Sequence, residues 1–85
     1  MWFLYLLYSE KIDRFYIGIS QNPETRLRYH NTIENGWTSR GKPWKLVFMK
    51  GFPNRQNAQF WENKIKGQKS RAIIQKIIND EFIFE

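Results

Sequence analysis

The chain has 85 residues, no cysteine and one histidine, which excludes a disulfide scaffold, a cysteine-ligated zinc site and a multi-histidine metal centre. Four Trp, four Tyr and seven Phe supply the large buried areas that so short a domain needs, since it removes only about 60% of its unfolded surface from water. Fourteen basic residues against eight acidic ones leave a net charge of +6, and from Arg40 to Lys76 ten basic residues face a single acid, Glu62. Such a field suits a polyanion, nucleic acid first, although charge alone also fits an ordinary soluble basic surface.

In chain order, Trp2 to Tyr8 is an apolar run too short for a helix and reads as a buried strand. Ser9 to Asp13 makes a polar turn, and Arg14 to Ile19 returns as a second strand, so the chain opens with a β-hairpin. Asn22-Pro23 starts a helix, with Asn as N-cap and Pro in the first position, running to about Asn31 or Ile33. A polar loop containing Gly36 and Gly41 leads to Pro43, and Trp44 to Phe52 is a third strand. Asn54 caps a helix from Arg55 to about Lys66, with Gly67 placed to end it. Ser70 caps a last helix whose Ile73, Ile74, Ile77 and Ile78 share one face, which should pack on the domain. The order ββαβαα predicts a single α+β domain over residues 1–85, built on a small antiparallel sheet. The longest apolar run is far short of a bilayer span, and the basic residues are not confined to one amphipathic helix, so no membrane role is expected. With no feature of a secreted chain, the cytoplasm is the expected compartment.

Phosphodiester hydrolysis needs a group to activate water, positive charge on the phosphate and a ligand for a metal. No nucleophile–histidine pair, closely spaced carboxylates or glycine-rich phosphate loop is visible. The candidates left are Tyr5 and Tyr16 on adjacent strands, Arg26 and His30 one helical turn apart, and Glu62. Each has a plain structural role open to it: the tyrosines as core residues, Arg26 and His30 as a solvated face, Glu62 in a pair with Lys66. A lone acid in a basic stretch is nonetheless held ionised and suited to a divalent cation.

Taken together, Phe3-Leu4-Tyr5, Tyr16-Ile17-Gly18, Arg26 and His30 at that spacing resemble the GIY-YIG nuclease family. The segment Trp37-Thr38-Ser39-Arg40-Gly41-Lys42-Pro43-Trp44-Lys45-Leu46-Val47 is similar to the loop and third strand of its small single-domain bacterial members. Glu62 to Lys66, followed by Lys69-Ser70-Arg71, is similar to their closing segment. Phe3 and Leu4 stand where the name-giving Gly and Ile would be. The resemblance implies a three-stranded antiparallel sheet flanked by helices and endonucleolytic cleavage of DNA dependent on Mg²⁺ or Mn²⁺. It assigns water activation to Tyr5 or Tyr16, the scissile phosphate to Arg26, a place beside the site to His30, and the metal to Glu62. Arg40, Lys42, Lys45, Lys64, Lys69 and Arg71 are the expected contacts to DNA, and a separate targeting protein would select the cutting site. Gly18 is expected to turn the backbone away from the substrate, and positive charge from the metal, Arg26 or His30 to lower a tyrosine pKa. The rival reading is a catalytically silent nucleic-acid-binding domain of the same fold. A third is a protein-interaction module using exposed Trp37 and Trp44.

Overall fold

In a computed structural model that describes residues 1–84, strand β1 (Trp2–Ser9) lies between β2 (Arg14–Ser20) and β3 (Trp44–Phe52), antiparallel to both. Both faces of β1 are covered, which explains its unbroken apolar run. Leu4 and Leu6 point into one cluster with Ile17, Phe52, Ala58, Trp61, Ile65 and Ile77. Tyr5 and Leu7 point into the other, with Trp44, Leu27 and Leu46. A register shift against β3 pairs Leu6 with Phe48 and Leu7 with Leu46. The extra residue, Val47, then joins Phe48 against the first cluster.

The first cluster is closed by helices α2 (Arg55–Gln68) and α3 (Arg71–Ile78), the second by α1 (Pro23–Thr32) and a 3-10 turn over Trp37–Gly41. All three expected caps are formed. Asn22 accepts from the Thr25 N–H, Asn54 from Asn57 and Ser70 from Ile73, each contributing about 1 kcal/mol to its helix. The Ile face of α3 packs as expected, with Ile77 fully buried and Ile73, Ile74 and Ile78 half-buried against the Leu4–Leu6 cluster.

Three expectations are corrected. The stretch before Pro43 is not an irregular loop throughout but contains the 3-10 turn. Gly67 does not end α2; it lies inside the helix, and Lys69 ends it in the left-handed conformation (φ 46°, ψ 38°). That conformation costs a residue with a Cβ on the order of 1 kcal/mol. Trp44 is buried rather than exposed: its indole N–H donates to the Thr38 carbonyl at 2.7 Å. Asn31 clamps its backbone, accepting from the Trp44 N–H at 2.6 Å and donating to its carbonyl at 3.1 Å. No helix among the described residues is long and apolar enough to cross a membrane.

Candidate active site

The hairpin register sets opposite each other Tyr5 and Gly18, and Leu7 and Tyr16, so both tyrosines project from the same sheet face. Their ring centroids are 6.2 Å apart. Gly18 does not turn the backbone away, as β2 runs straight through it to Ser20. Its role is to make room: a Cβ there would lie 2.7 Å from the Tyr5 hydroxyl oxygen and 3.1 Å from the Tyr16 ring. Only a glycine lets the Tyr5 ring cross β2 and bring its hydroxyl to the edge of the sheet.

Tyr5 is the meeting point of the site. It is 1% exposed, and burial pushes its hydroxyl up to about 12 against the opposing pull of the Arg26 guanidinium beside it. Tyr16 and the charge of Glu62 raise it further. Tyr5, Tyr16 and Arg26 therefore come together on one sheet face, whereas Glu62 comes from α2 on the other face and reaches Tyr5 only through its charge, the weakest of these influences. Arg26 projects from α1, and its guanidinium lies 4.8 Å from the centre of the Tyr29 ring one turn on. That i, i+3 spacing was the available signal for Tyr29, which the sequence reading did not single out.

Glu62 is 8% exposed on the face of α2 that also buries Ala58, Trp61 and Ile65. One carboxylate oxygen accepts from the Gln59 amide, and the other pairs with Lys66 at 3.1 Å. The plain i, i+4 pair is thus present, and the carboxylate's charge is also felt at Tyr5. Among the described residues no three His, Asp or Glu side chains cluster. Glu62, both of whose oxygens are engaged by Gln59 and Lys66, could at most serve as a single carboxylate ligand, the kind of site that Mg²⁺ uses when it keeps several waters and takes substrate oxygens as ligands.

His30 is 3% exposed and packs against Tyr16 with ring centroids 4.4 Å apart and planes tilted by 53°. Its Nδ1 is 3.2 Å from the Thr38 hydroxyl, and its Nε2 has no partner. Burial, then the Arg26 charge, hold its pKa below the ordinary 6.5. The ring is accordingly neutral near pH 7, and it cannot supply the positive charge that the sequence reading allowed it. Trp37, half-exposed, lies 6.0 Å from Tyr16 and edge-on to Trp44 at 5.7 Å, extending the aromatic wall outward.

The six expected DNA contacts fall into three groups. Arg40 and Lys42 flank the end of the 3-10 turn whose Thr38 holds His30. Lys69 and Arg71 sit at the α2–α3 corner, Arg71 tied to Asp13 at 2.6 Å. Lys45 and Lys64 are not brought to the site. Lys45, on the opposite edge strand, pairs with Glu10 at 2.6 Å. Lys64 lies two residues from Glu62, on the other side of α2, over Phe60 and Trp61.

The family model of the GIY-YIG catalytic domain matches residues 1–77. A UPF0213 protein of Nitratidesulfovibrio vulgaris is 33% identical over 87 residues, covering 98% of this chain and 78% of its own. The structure-specific endonuclease subunit slx1 of Schizosaccharomyces japonicus is 46% identical over 57 residues, 60% of this chain. Its counterpart in Pyrenophora tritici-repentis is 42% identical over 69 residues. The chain spans only 21% and 19% of the length of those two fungal relatives. The solution structure of a UPF0213 protein from Bacillus halodurans superposes with a TM-score of 0.58 at 25% identity, covering 93% of this chain and 84% of that one. With Tyr5, Tyr16 and Arg26 grouped on one sheet face and a family model that spans most of its length, this chain belongs to the GIY-YIG catalytic domain family.

Proposed function

We propose that this domain is a metal-dependent endonuclease that hydrolyses phosphodiester bonds of DNA. The observation that carries the reading is the grouping of Tyr16 and Arg26 around the buried Tyr5 hydroxyl, with the Glu62 charge felt there, in a chain of this family. Arg26 binds the scissile phosphate, held in place by Tyr5 and Tyr29 on either side. Tyr5, with its hydroxyl pushed up to about 12, keeps its proton and serves as an anchor rather than a base. Tyr16, less buried and on the outer strand, takes the proton of the attacking water as its own phenolic proton passes to solvent. Arg26 is the protein's own positive charge there, since His30 is neutral and instead braces the Tyr16 ring. Glu62 would hold Mg²⁺ or Mn²⁺, which when bound supplies Lewis-acid stabilisation of the phosphate and the leaving oxygen.

The fungal relatives are named as subunits of structure-specific endonucleases. By that likeness the substrate here is branched or interrupted DNA, with a separate protein directing the cut. The test is incubation of the purified protein with plain, nicked and branched DNA in Mg²⁺, Mn²⁺ or EDTA. Cleavage that requires the metal is the expected result. DNA binding without cleavage under every metal condition would identify a silent binding domain instead.

A further inference from the structure

A cavity of about 270 Å³ opens on the α2–α3 side of β2. Its apolar lining is Phe15, Ile17, Ile65 and Ile74, and its polar lining is Asp13 and Ser70 with four cations: Arg14, Lys66, Lys69 and Arg71. An apolar hollow with cationic groups around it is complementary to one kind of group above others, a planar base carrying a phosphate. Its volume is close to the lower end of small-ligand pockets, roughly 300 Å³, enough for a single base.

Two features bind this cavity to the candidate active site. Lys66 belongs to both, since it lines the cavity and its ammonium pairs with Glu62 at 3.1 Å. The rise of α2 places Lys69 about 10 Å along the axis from Glu62. That span equals roughly three nucleotides at 3.4 Å each along a strand. The single acid, Asp13, is already engaged by Arg71 at 2.6 Å and by the Tyr8 hydroxyl at 2.6 Å. Arg14 and Lys69 form no ion pair among the described residues. Lys69 also holds the left-handed position at the end of α2, where glycine is favoured.

We infer that this cavity accepts one unpaired nucleotide of the DNA strand a few positions from the scissile phosphate, its base on the apolar floor and its phosphate on Arg14 and Lys69. The inference rests on the nuclease reading and gives the enzyme a reason to favour DNA with a single-stranded branch over continuous duplex. Phe15, with the Arg71 guanidinium 5.2 Å from its ring centre, is the aromatic member of the lining, and contact of a base with it and the isoleucines is sequence-tolerant, so the selection is for structure and not for sequence.

The experiment measures binding in EDTA, where nothing is cut, by fluorescence anisotropy. The ligands are a blunt duplex, the same duplex with a three-nucleotide flap, and that flap made abasic. The parent protein is expected to prefer the flap over both others by roughly tenfold. Lys69→Gly, which suits the backbone and should fold at least as well, is expected to lose most of that preference. Lys69→Arg should keep it. Equal affinity for abasic and intact flaps, or equal losses by Lys69→Gly on flap and duplex, would overturn the inference. A protein that binds with the expected preference yet never cleaves would refute the nuclease reading alone.

Discussion

Tyr5 and Tyr16 are the same residue type on the same face of one sheet, and their surroundings assign them different work. Tyr5 is sealed against the core and keeps its proton, whereas Tyr16 is only partly buried. Tyr16→Phe is therefore expected to slow single-turnover cleavage by roughly 10²–10⁴-fold, the usual range for a lost general base. Tyr5→Phe should lose less, through a displaced Arg26; equal losses would refute the division. His30 carries a second prediction at this scale. Its folded pKa lies below the unfolded value of 6.5, so the unfolded chain binds the proton first. Stability is therefore complete above pH 6.5 and falls as the pH drops from there toward the folded pKa, before carboxylates titrate. Chemical denaturation from pH 7.5 downward should show that slope, and His30→Phe should flatten it. The candidates stood out in the sequence only as a set, through the order and spacing that resemble the GIY-YIG family, since each alone has a plain structural role open to it. The neutrality of His30 was not, since it follows from burial under the 3-10 turn and from an Arg26 charge that only the fold brings near. The role of Gly18 was likewise invisible, because the atoms that forbid a side chain there come from the partner strand.

At the scale of elements, α2 closes a core with Ala58, Trp61 and Ile65 and buries the Glu62 carboxylate on the same face, held by Gln59 and Lys66. Its start was readable from Asn54, because an N-cap is a contact between neighbours in sequence. Its end was not. Gly67 has the composition of a terminator, but the chain continues helically to Gln68 and turns at Lys69. A Cβ on Gly67 would meet nothing within 4 Å. Gly67→Ala should accordingly stabilise the domain by about 1 kcal/mol, the helix-propensity difference, with activity unchanged. Urea titration checks this, and destabilisation would show that the helix ends earlier than described here. The loop before Pro43 was half legible: its polarity was plain, but the burial of Trp44 depends on Asn31, thirteen residues earlier, and on the Thr38 carbonyl.

Over the whole molecule, a three-stranded sheet covered on both faces lets a chain of 85 residues bury two clusters and still leave one edge of β2 for chemistry. The α3 helix belongs to this arrangement as a lid on the larger cluster. Ile77→Ala, at a fully buried position, should cost about 2–5 kcal/mol and lower the thermal midpoint markedly. A loss under about 0.5 kcal/mol would mean that α3 is not docked. The ββαβαα order was legible throughout because strands, caps and turns alternate cleanly. What the sequence did not disclose was the distribution of charge: three of the basic residues between Arg40 and Lys76 are engaged by Glu10, Glu62 and Asp13. The measurement that bears most directly on the account is Glu62→Gln, which keeps the shape and the Gln59 contact while removing the charge a hard cation needs. Metal-dependent cleavage should collapse, while DNA affinity stays the same or rises, since one negative charge is gone from a basic surface. Unchanged cleavage in the variant would contradict the assignment of Glu62 and, with it, the proposed site.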